Sequence, residues 1–320
     1  MSELQPKPAE QTNLLFEEVL RELNRHLVLD KSKSDVVIGA ILTDSAILID
    51  GDPGVAKTKT AKIIAQTLGI GFRRIQATAD LMPSDITGSE VFDPETKGFK
   101  FLPGPIFTEG VILLDDISRT PPKTLSALIE SFGEKTVTPS GSLKTHKLSP
   151  YSRFIATRND HIMEEGTFPT PAAILDRFSV GIKFDDLAPE QMVVAGDLQD
   201  KTVNLIENAK QRLTEAKISI DRQIAIDSAM KIFAARIILK LKDMSEEIDQ
   251  NRSSLSGLRG YLAMLSLSKV LALRNSRLNV NNEDVAQAAQ YVFGHRVVKK
   301  PRSNTDLGVD VLIKIATDLA

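Results

Sequence analysis

Eight consecutive residues, Gly51-Asp52-Pro53-Gly54-Val55-Ala56-Lys57-Thr58, have the types and spacing to hold a polyphosphate. Gly51 and Gly54 let backbone N–H groups turn toward an anion. Lys57 can reach the β- and γ-phosphates, and the Thr58 hydroxyl can complete the shell of a Mg²⁺ ion that otherwise keeps its waters. Lys59 follows directly and adds a second cation. The position before the lysine, usually glycine in such loops, is Ala56, which is small enough to tolerate close approach. An ordinary glycine-rich turn would look similar. The flanks argue against it. Ala46–Ile49 is an apolar run that reads as a buried strand, and Ile63, Ile64 and Leu68 then recur at helical spacing. Strand, turn and helix in that order are the context a phosphate loop requires, and the helix N-terminus adds its partial positive charge. The expected ligand is a nucleotide.

Four further residues gain interest from that loop. Val111-Ile112-Leu113-Leu114 is a continuous apolar run of the kind found in parallel strands covered on both faces, and it ends in Asp115-Asp116. A carboxylate there can serve Mg²⁺, so Asp115 is the metal candidate and Asp116 the candidate to polarise an attacking water. Both could instead cap the helix that starts at Pro121-Pro122. Phe154–Thr157 is a third buried run, followed by Arg158-Asn159. Asn159 could bond a γ-phosphate or simply sit in a turn. Arg177, in Leu175-Asp176-Arg177-Phe178, carries no intrinsic mark of function; a surface ion pair is its default.

The elements that must position these residues fit a globular chain with 42% hydrophobic and 26% charged content, whose 320 residues suggest two domains, or one domain plus a smaller appendage. A net charge of −2 gives no global reason to expect nucleic-acid binding. With no cysteine, disulfides and thiolate metal sites are excluded, and the four scattered histidines suggest no metal site. No apolar run reaches the ~18 residues of a membrane span. The polar start MSELQPKPAEQ lacks a signal-peptide core, so a cytoplasmic protein is expected.

Along the chain, residues 1–12 read as a loose leader, Asn13–Val28 as an amphipathic helix and Asp35–Leu42 as a second helix. Phe72–Ala77 reads as a strand. Asp80–Thr108, dense in Pro and Gly, reads as irregular structure with Leu81, Met82, Ile86, Val91, Phe92, Phe99 and Phe101 to bury. Val137–Leu148 suggests a hairpin turning at Pro139-Ser140-Gly141, and a last strand runs through Val180, Ile182 and Phe184. After Asp185 the pattern is almost wholly helical: Val203–Leu213, Ile224–Leu241, Leu258–Leu273 and a capped helix from Asn281 to Val292. Arg296–Arg302 reads as a solvated basic tail, and Asp306–Ala320 as a docked last helix.

The motifs GDPGVAKT, DLMPSDITGSE, PGPIF, ILLDDISRTPPKT, FIATRN and LDRF occur in the order and spacing of the MoxR family of AAA+ ATPases, which the chain resembles from about Ile38 to Phe184. The resemblance implies an α/β P-loop NTPase core, with a five-stranded parallel sheet flanked by helices, followed by a small all-α lid. The corresponding division is 1–186 for the core, 187–300 for the lid and 301–320 for the tail. It also implies ATP and Mg²⁺ as ligands, Asn159 as sensor 1, and Arg177 as an arginine finger acting on a neighbouring subunit in a homo-oligomeric, hexameric ring. Arg259, in a small-residue segment before a helix, takes the place of sensor 2. A client protein, possible bearer of a von Willebrand factor A domain, would be remodelled. Two positions depart from the pattern: Asp116 replaces glutamate and Ser118 replaces asparagine. The Gly-Gln that the family carries before its first helix is also absent from Leu29–Lys33. Displacing a water-positioning carboxylate by ~1 Å can cost on the order of 10²-fold in rate, so either the site has closed up around aspartate or the chain is a slow member or a non-hydrolysing, ATP-binding scaffold. A DNA-dependent motor is disfavoured by the net charge.

Overall fold

The structure, a computed structural model, describes residues 8–139, 142, 144–159, 166–198, 202–249, 253–255, 257–300 and 308–320. The first half runs α1 (Pro8–His26), α2 (Lys31–Leu42), β1 (Ile47–Gly51), α3 (Lys57–Thr67), β2 (Gly71–Gln76), α4 (Pro83–Thr87), β3 (Gly88–Asp93), β4 (Gly98–Pro103), β5 (Gly110–Asp115), α5 (Pro122–Glu134), β6 (Thr136–Val137), β7 (His146–Lys147), β8 (Arg153–Arg158), α6 (Ala172–Leu175) and β9 (Val180–Phe184). The second half is helical: α7 (Pro189–Asp197), α8 (Ala209–Gln223), α9 (Ser228–Asp243), α10 (Leu258–Arg274), α11 (Asn282–Phe293) and α12 (Val309–Asp318).

Five of the strands form one parallel sheet in the order β2-β5-β8-β1-β9. Successive side chains point to opposite faces of a strand, and the burial follows that period. Ile47, Ile49, Val111, Leu113 and Ile155 enter one core, which they share with α1, α2, α3 and the buried stripes of α8–α12. Ala46, Leu48, Ile112, Leu114, Phe154 and Ala156 enter the other, against Leu125, Leu128 and Phe132 of α5. With both faces covered, the strands are apolar throughout, as the runs in the sequence imply. The helical second half therefore meets α1 and α2, shares their core, and reaches the sheet directly where α11 packs on β9. No helix among the described residues is long and apolar enough to cross a membrane.

Several segments differ from expectation. α1 begins at Pro8, inside the supposed leader, where the Thr12 hydroxyl donates to the Pro8 carbonyl; residues 1–7 lie outside the described residues. The stretch read as irregular contains an antiparallel β3–β4 hairpin. Of its apolar residues Ile86 is buried, whereas Met82, Val91, Phe92 and Phe99 are exposed. The helix expected from Val203 starts only at Ala209. Upstream of it, Asn204 N–H donates to buried Glu22 and Ile206 N–H to the Thr67 carbonyl, which holds this stretch extended. The turn expected at Ser140-Gly141 lies outside the described residues.

Register sets the site. Asp50 pairs with Arg158 across β1 and β8, and Leu114 pairs with Ala156 across β5 and β8. The carboxyl ends of three adjacent strands thus deliver Gly51, Asp115 and Asn159 to one edge, where open parallel sheets bind ligands.

Candidate active site

The turn after β1 is shaped for close backbone approach. Gly51 has φ +150, and a Cβ there would lie 2.5 Å from the Phe184 carbonyl oxygen of the neighbouring strand. Ala56, the residue before α3, is left-handed at φ 63, ψ 21, a conformation that disfavours any side chain. The family's usual glycine is thus explained by backbone angle as much as by space. On the other side of the turn, Asp50 receives a two-pronged hydrogen bond from Arg158, Nε to Oδ1 at 2.7 Å and NH2 to Oδ2 at 2.9 Å. This bolts the end of β1 to the end of β8.

Lys57, on the first turn of α3, is 8% exposed. Its ammonium donates to the Gly51 carbonyl and to Asn159 Oδ1, and at 3.2 Å to the Arg158 carbonyl. Burial lowers its pKa from the usual lysine value, opposed by the fields of Asp116, Asp50, Asp115 and Asp52. Thr58 Oγ1 donates to Asp115 Oδ1 at 3.3 Å and Oδ2 at 3.2 Å. Asp115 also accepts from Thr157 Oγ1 at 2.5 Å and from Arg74 Nε at 2.7 Å. Arg74 and Thr157 were not singled out from the sequence. The signal for Arg74 is alternation: Gln76 pairs with Asp115 across β2 and β5, and Arg74, two residues earlier, shares its face.

Asp116 is left-handed at φ 64, and its N–H donates to Thr157 Oγ1 at 2.8 Å. Its Oδ2 accepts from Arg119 Nε at 2.8 Å. Its Oδ1 is buried and has no hydrogen-bond partner among the described residues. Buried polar atoms are almost always paired, so this oxygen is an acceptor open to a group beyond the described residues. Thr157 joins the two carboxylates, donating to one and accepting from the backbone of the other.

Lys57, Thr58, Asp115, Asp116 and Asn159 therefore converge. Lys59 is exposed and lines a cavity of about 670 Å³ on the flank of α3 with His26, Lys62 and Leu205. Arg177 and Arg259 make no hydrogen bond or ion pair with the convergent group. Arg177 is half-buried, its NH1 close enough to α5 that a Cβ on Gly133 would lie 3.1 Å away. Among the described residues its guanidinium has no ion-pair or hydrogen-bond partner, which contradicts the default of a salt-bridged surface arginine. Arg259 NH1 donates to Asp176 Oδ2 at 3.1 Å, so it sits on the patch built around the turn that carries Arg177.

The same patch corrects the reading of the basic tail. Arg296 is 1% exposed, and its NH2 donates to the carbonyls of Asp176 at 3.2 Å and Phe178 at 2.7 Å, on either side of Arg177. Burial lowers its pKa to about 10, with Asp176 opposing the shift. His295 is fully buried against Gly181 and faces the Phe178 carbonyl through Nε2 at 3.1 Å. Composition marks Arg296 as solvated, and docking of α11 on β9 buries it. Residues 301–307 of that stretch lie outside the described residues.

A profile of the ATPase family associated with various cellular activities (AAA) matches residues 46–180, and one of the AAA lid domain matches residues 249–314. The chain is 30% identical over 295 residues to YeaC of Bacillus subtilis, named as uncharacterised, with 90% of this chain and 88% of YeaC covered. It is 28% identical over 295 residues to the chaperone MoxR1 of Mycobacterium tuberculosis, covering 88% and 75% of the two chains. The chain belongs to the MoxR family of AAA+ ATPases. A crystal structure of a candidate ATPase from Cytophaga hutchinsonii matches with a TM-score of 0.80 at 25% identity, covering 97% of this chain and 96% of that one. The MoxR assignment and the five-stranded sheet agree with the sequence reading.

The residues present fit Mg²⁺ and a nucleotide. No cluster of three or more His, Cys, Asp or Glu suited to a metal occurs among the described residues. A phosphate-loop Mg²⁺ needs none, because substrate phosphates and water supply most of its ligands. The touching hydroxyl and carboxylate of Thr58 and Asp115 are what the chain would offer such an ion, and the unpaired Asp116 Oδ1 leaves an acceptor beside them.

Proposed function

We propose that this MoxR-family chain hydrolyses Mg·ATP at the interfaces of a homo-oligomeric ring, six-membered as in its superfamily, and uses the cycle to remodel a client protein. In this reading residues 1–186 bind nucleotide, 187–300 form the lid and 301–320 dock as a tail. The loop amides and Lys57 hold the phosphates, with Lys57 exchanging its present acceptors for phosphate oxygens. Thr58 and Asp115 would hold Mg²⁺, which neutralises charge on the β- and γ-phosphates. Asp116 and Asn159 orient the attacking water. Arg177, and Arg259 bonded to the residue before it, make no contact with their own phosphate loop and would offset charge on the phosphoryl group bound by the neighbouring subunit. The observation that carries this reading is the Lys57–Asn159 and Thr58–Asp115 linkage at the strand ends, with the unpaired Asp116 oxygen beside it. A client carrying a von Willebrand factor A domain fits the family resemblance, and nucleic acid is not expected at a net charge of −2.

The test is Lys57→Ala. Losing a charge-assisted contact of about 3 kcal/mol weakens binding by about 10²-fold, so ATP affinity should fall by that much in a folded variant. Unchanged affinity in equilibrium titration would refute the phosphate-loop reading. A second reading, an ATP-binding scaffold with little turnover, is favoured by the short Asp116 side chain, one oxygen of which is already engaged by Arg119. Steady-state turnover measured beside affinity separates the two.

A further inference from the structure

Asp176 precedes Arg177 and meets two arginines of the helical half that are held very differently. Arg296 donates to the carbonyls of Asp176, Phe178, Ser179 and Val292, and its Nε lies 3.7 Å from Asp176 Oδ1. Moving it would strand a buried cation. Arg259 sits on the first turn of α10, with its side chain 53% exposed and its guanidinium bonded to Asp176 alone among the described residues. An exposed pair of this kind shifts an equilibrium by at most about 5-fold. If Arg259 leaves, the Asp176 carboxylate keeps Arg296 beside it and is not left as an unpaired buried charge. Because Arg296 bonds the carbonyls on both sides of Arg177, the exchange needs only a side chain to move.

We propose that Asp176 is a parking carboxylate for Arg259. In an empty ring interface it holds Arg259 on the turn that also carries Arg177, and Mg·ATP on the neighbouring subunit draws Arg259 away onto its phosphates. This rests on the ring-ATPase reading above. Asp176 is then a positioning residue that competes with the nucleotide for one arginine. It keeps that cation at the interface before ATP arrives and sets back apparent ATP affinity by the strength of the parked pair.

The experiment is a double-mutant cycle of Asp176→Asn and Arg259→Ala, read as equilibrium affinity for Mg·ATPγS in the assembled oligomer, with melting temperature as the folding control. Asp176→Asn should tighten binding by about 3-fold, within the range of an exposed pair. Arg259→Ala should weaken it by about 10-fold, the loss of one charge-assisted contact. In the Arg259→Ala background, Asp176→Asn should then change nothing. If Asp176→Asn shifts affinity equally in both backgrounds, or if Arg259→Ala leaves affinity intact, the parking contact is overturned while ATP binding stands. If the wild-type oligomer binds no nucleotide, the ring-ATPase reading and the inference fall together. Should Asp176→Asn not fold, Asp176→Ser gives the same comparison with a smaller side chain.

Discussion

The strand-end cluster and the arginine patch are built on opposite principles. At the strand ends nearly every polar group already has a partner within the chain: Lys57 holds Asn159, Thr58 and Thr157 hold Asp115, and Arg158 holds Asp50. Such a network is preorganised, so binding nucleotide replaces existing contacts and orders little that was mobile. The arginine patch is braced from behind and open in front. Arg296 fixes the backbone on both sides of Arg177, yet the Arg177 guanidinium has no partner among the described residues. A cation so placed and so idle suits a site that a second copy completes.

The comparison breaks most sharply at Arg177. Arg177→Ala should leave ATP affinity within about 2-fold and lower turnover by at least about 10²-fold, as for other groups that stabilise charge in the transition state. Mixing Arg177→Ala with Lys57→Ala should restore part of the activity, because some mixed interfaces carry an intact loop and an intact arginine. A variant with normal turnover, or a protein monomeric at every concentration, would make the patch a feature of one subunit only.

Asp116 tests the closed side. On the proposed roles, with Asp116 orienting water and Asp115 holding the metal, Asp116→Ala should lower turnover at least about 10-fold and leave ATP affinity nearly unchanged. Equal turnover in wild type and variant would favour the scaffold. Asp116→Glu sharpens the point. The aspartate is left-handed and tied to Arg119, so an added methylene must either push Oδ1 toward the water or break that tie. Higher turnover indicates the first and lower turnover the second.

How far each region could be read in advance follows from the range of its contacts. Lys57 and Thr58 lie within one eight-residue turn, and Asp115 and Asn159 each close an apolar run, so local pattern finds them. Arg296 lies 119 positions after Arg177 in a stretch whose composition looks solvated; only docking of α11 against β9 reveals it. Arg74 required strand register. The β3–β4 hairpin failed for another reason. Its aromatic residues were counted as core, but Phe92 and Phe99 pair edge-to-face at 5.9 Å on the surface instead of entering either core.

The brace behind the patch has its own pH signature. His295 donates through Nε2 to the Phe178 carbonyl as a neutral ring, and burial, with Arg296 adjacent, holds its pKa well below 6.5. The folded state therefore binds fewer protons than the unfolded one below that value. Stability from this group is complete above about pH 6.5 and falls as pH drops, by up to about 1.4 kcal/mol per unit. Melting temperatures between pH 7 and 5.5 should decline more steeply in wild type than in His295→Gln, which cannot take up the proton. Parallel slopes would show that His295 takes up its proton alike in the folded and unfolded states, and would overturn the depressed pKa.

The smallest effect belongs to the loop itself. Ala56 at φ 63 carries a left-handed cost of about 1–2 kcal/mol that glycine would not. Against this, glycine adds about 0.4–1 kcal/mol of unfolded-state entropy. The partly buried Ala56 methyl gives up a further fraction of the ~0.8 kcal/mol that a fully buried methylene contributes. The strain wins narrowly, so Ala56→Gly should stabilise by about 0.5 kcal/mol and raise the melting temperature by about 1–2 °C. ATP affinity should move less than about 2-fold, because the backbone N–H groups already point where glycine would let them point. A lower melting temperature would mean that the methyl contributes more packing than its partial burial suggests. A large gain in affinity would mean that alanine holds the loop away from its phosphate-binding form, and the closed cluster would then be less preorganised than its hydrogen bonds indicate.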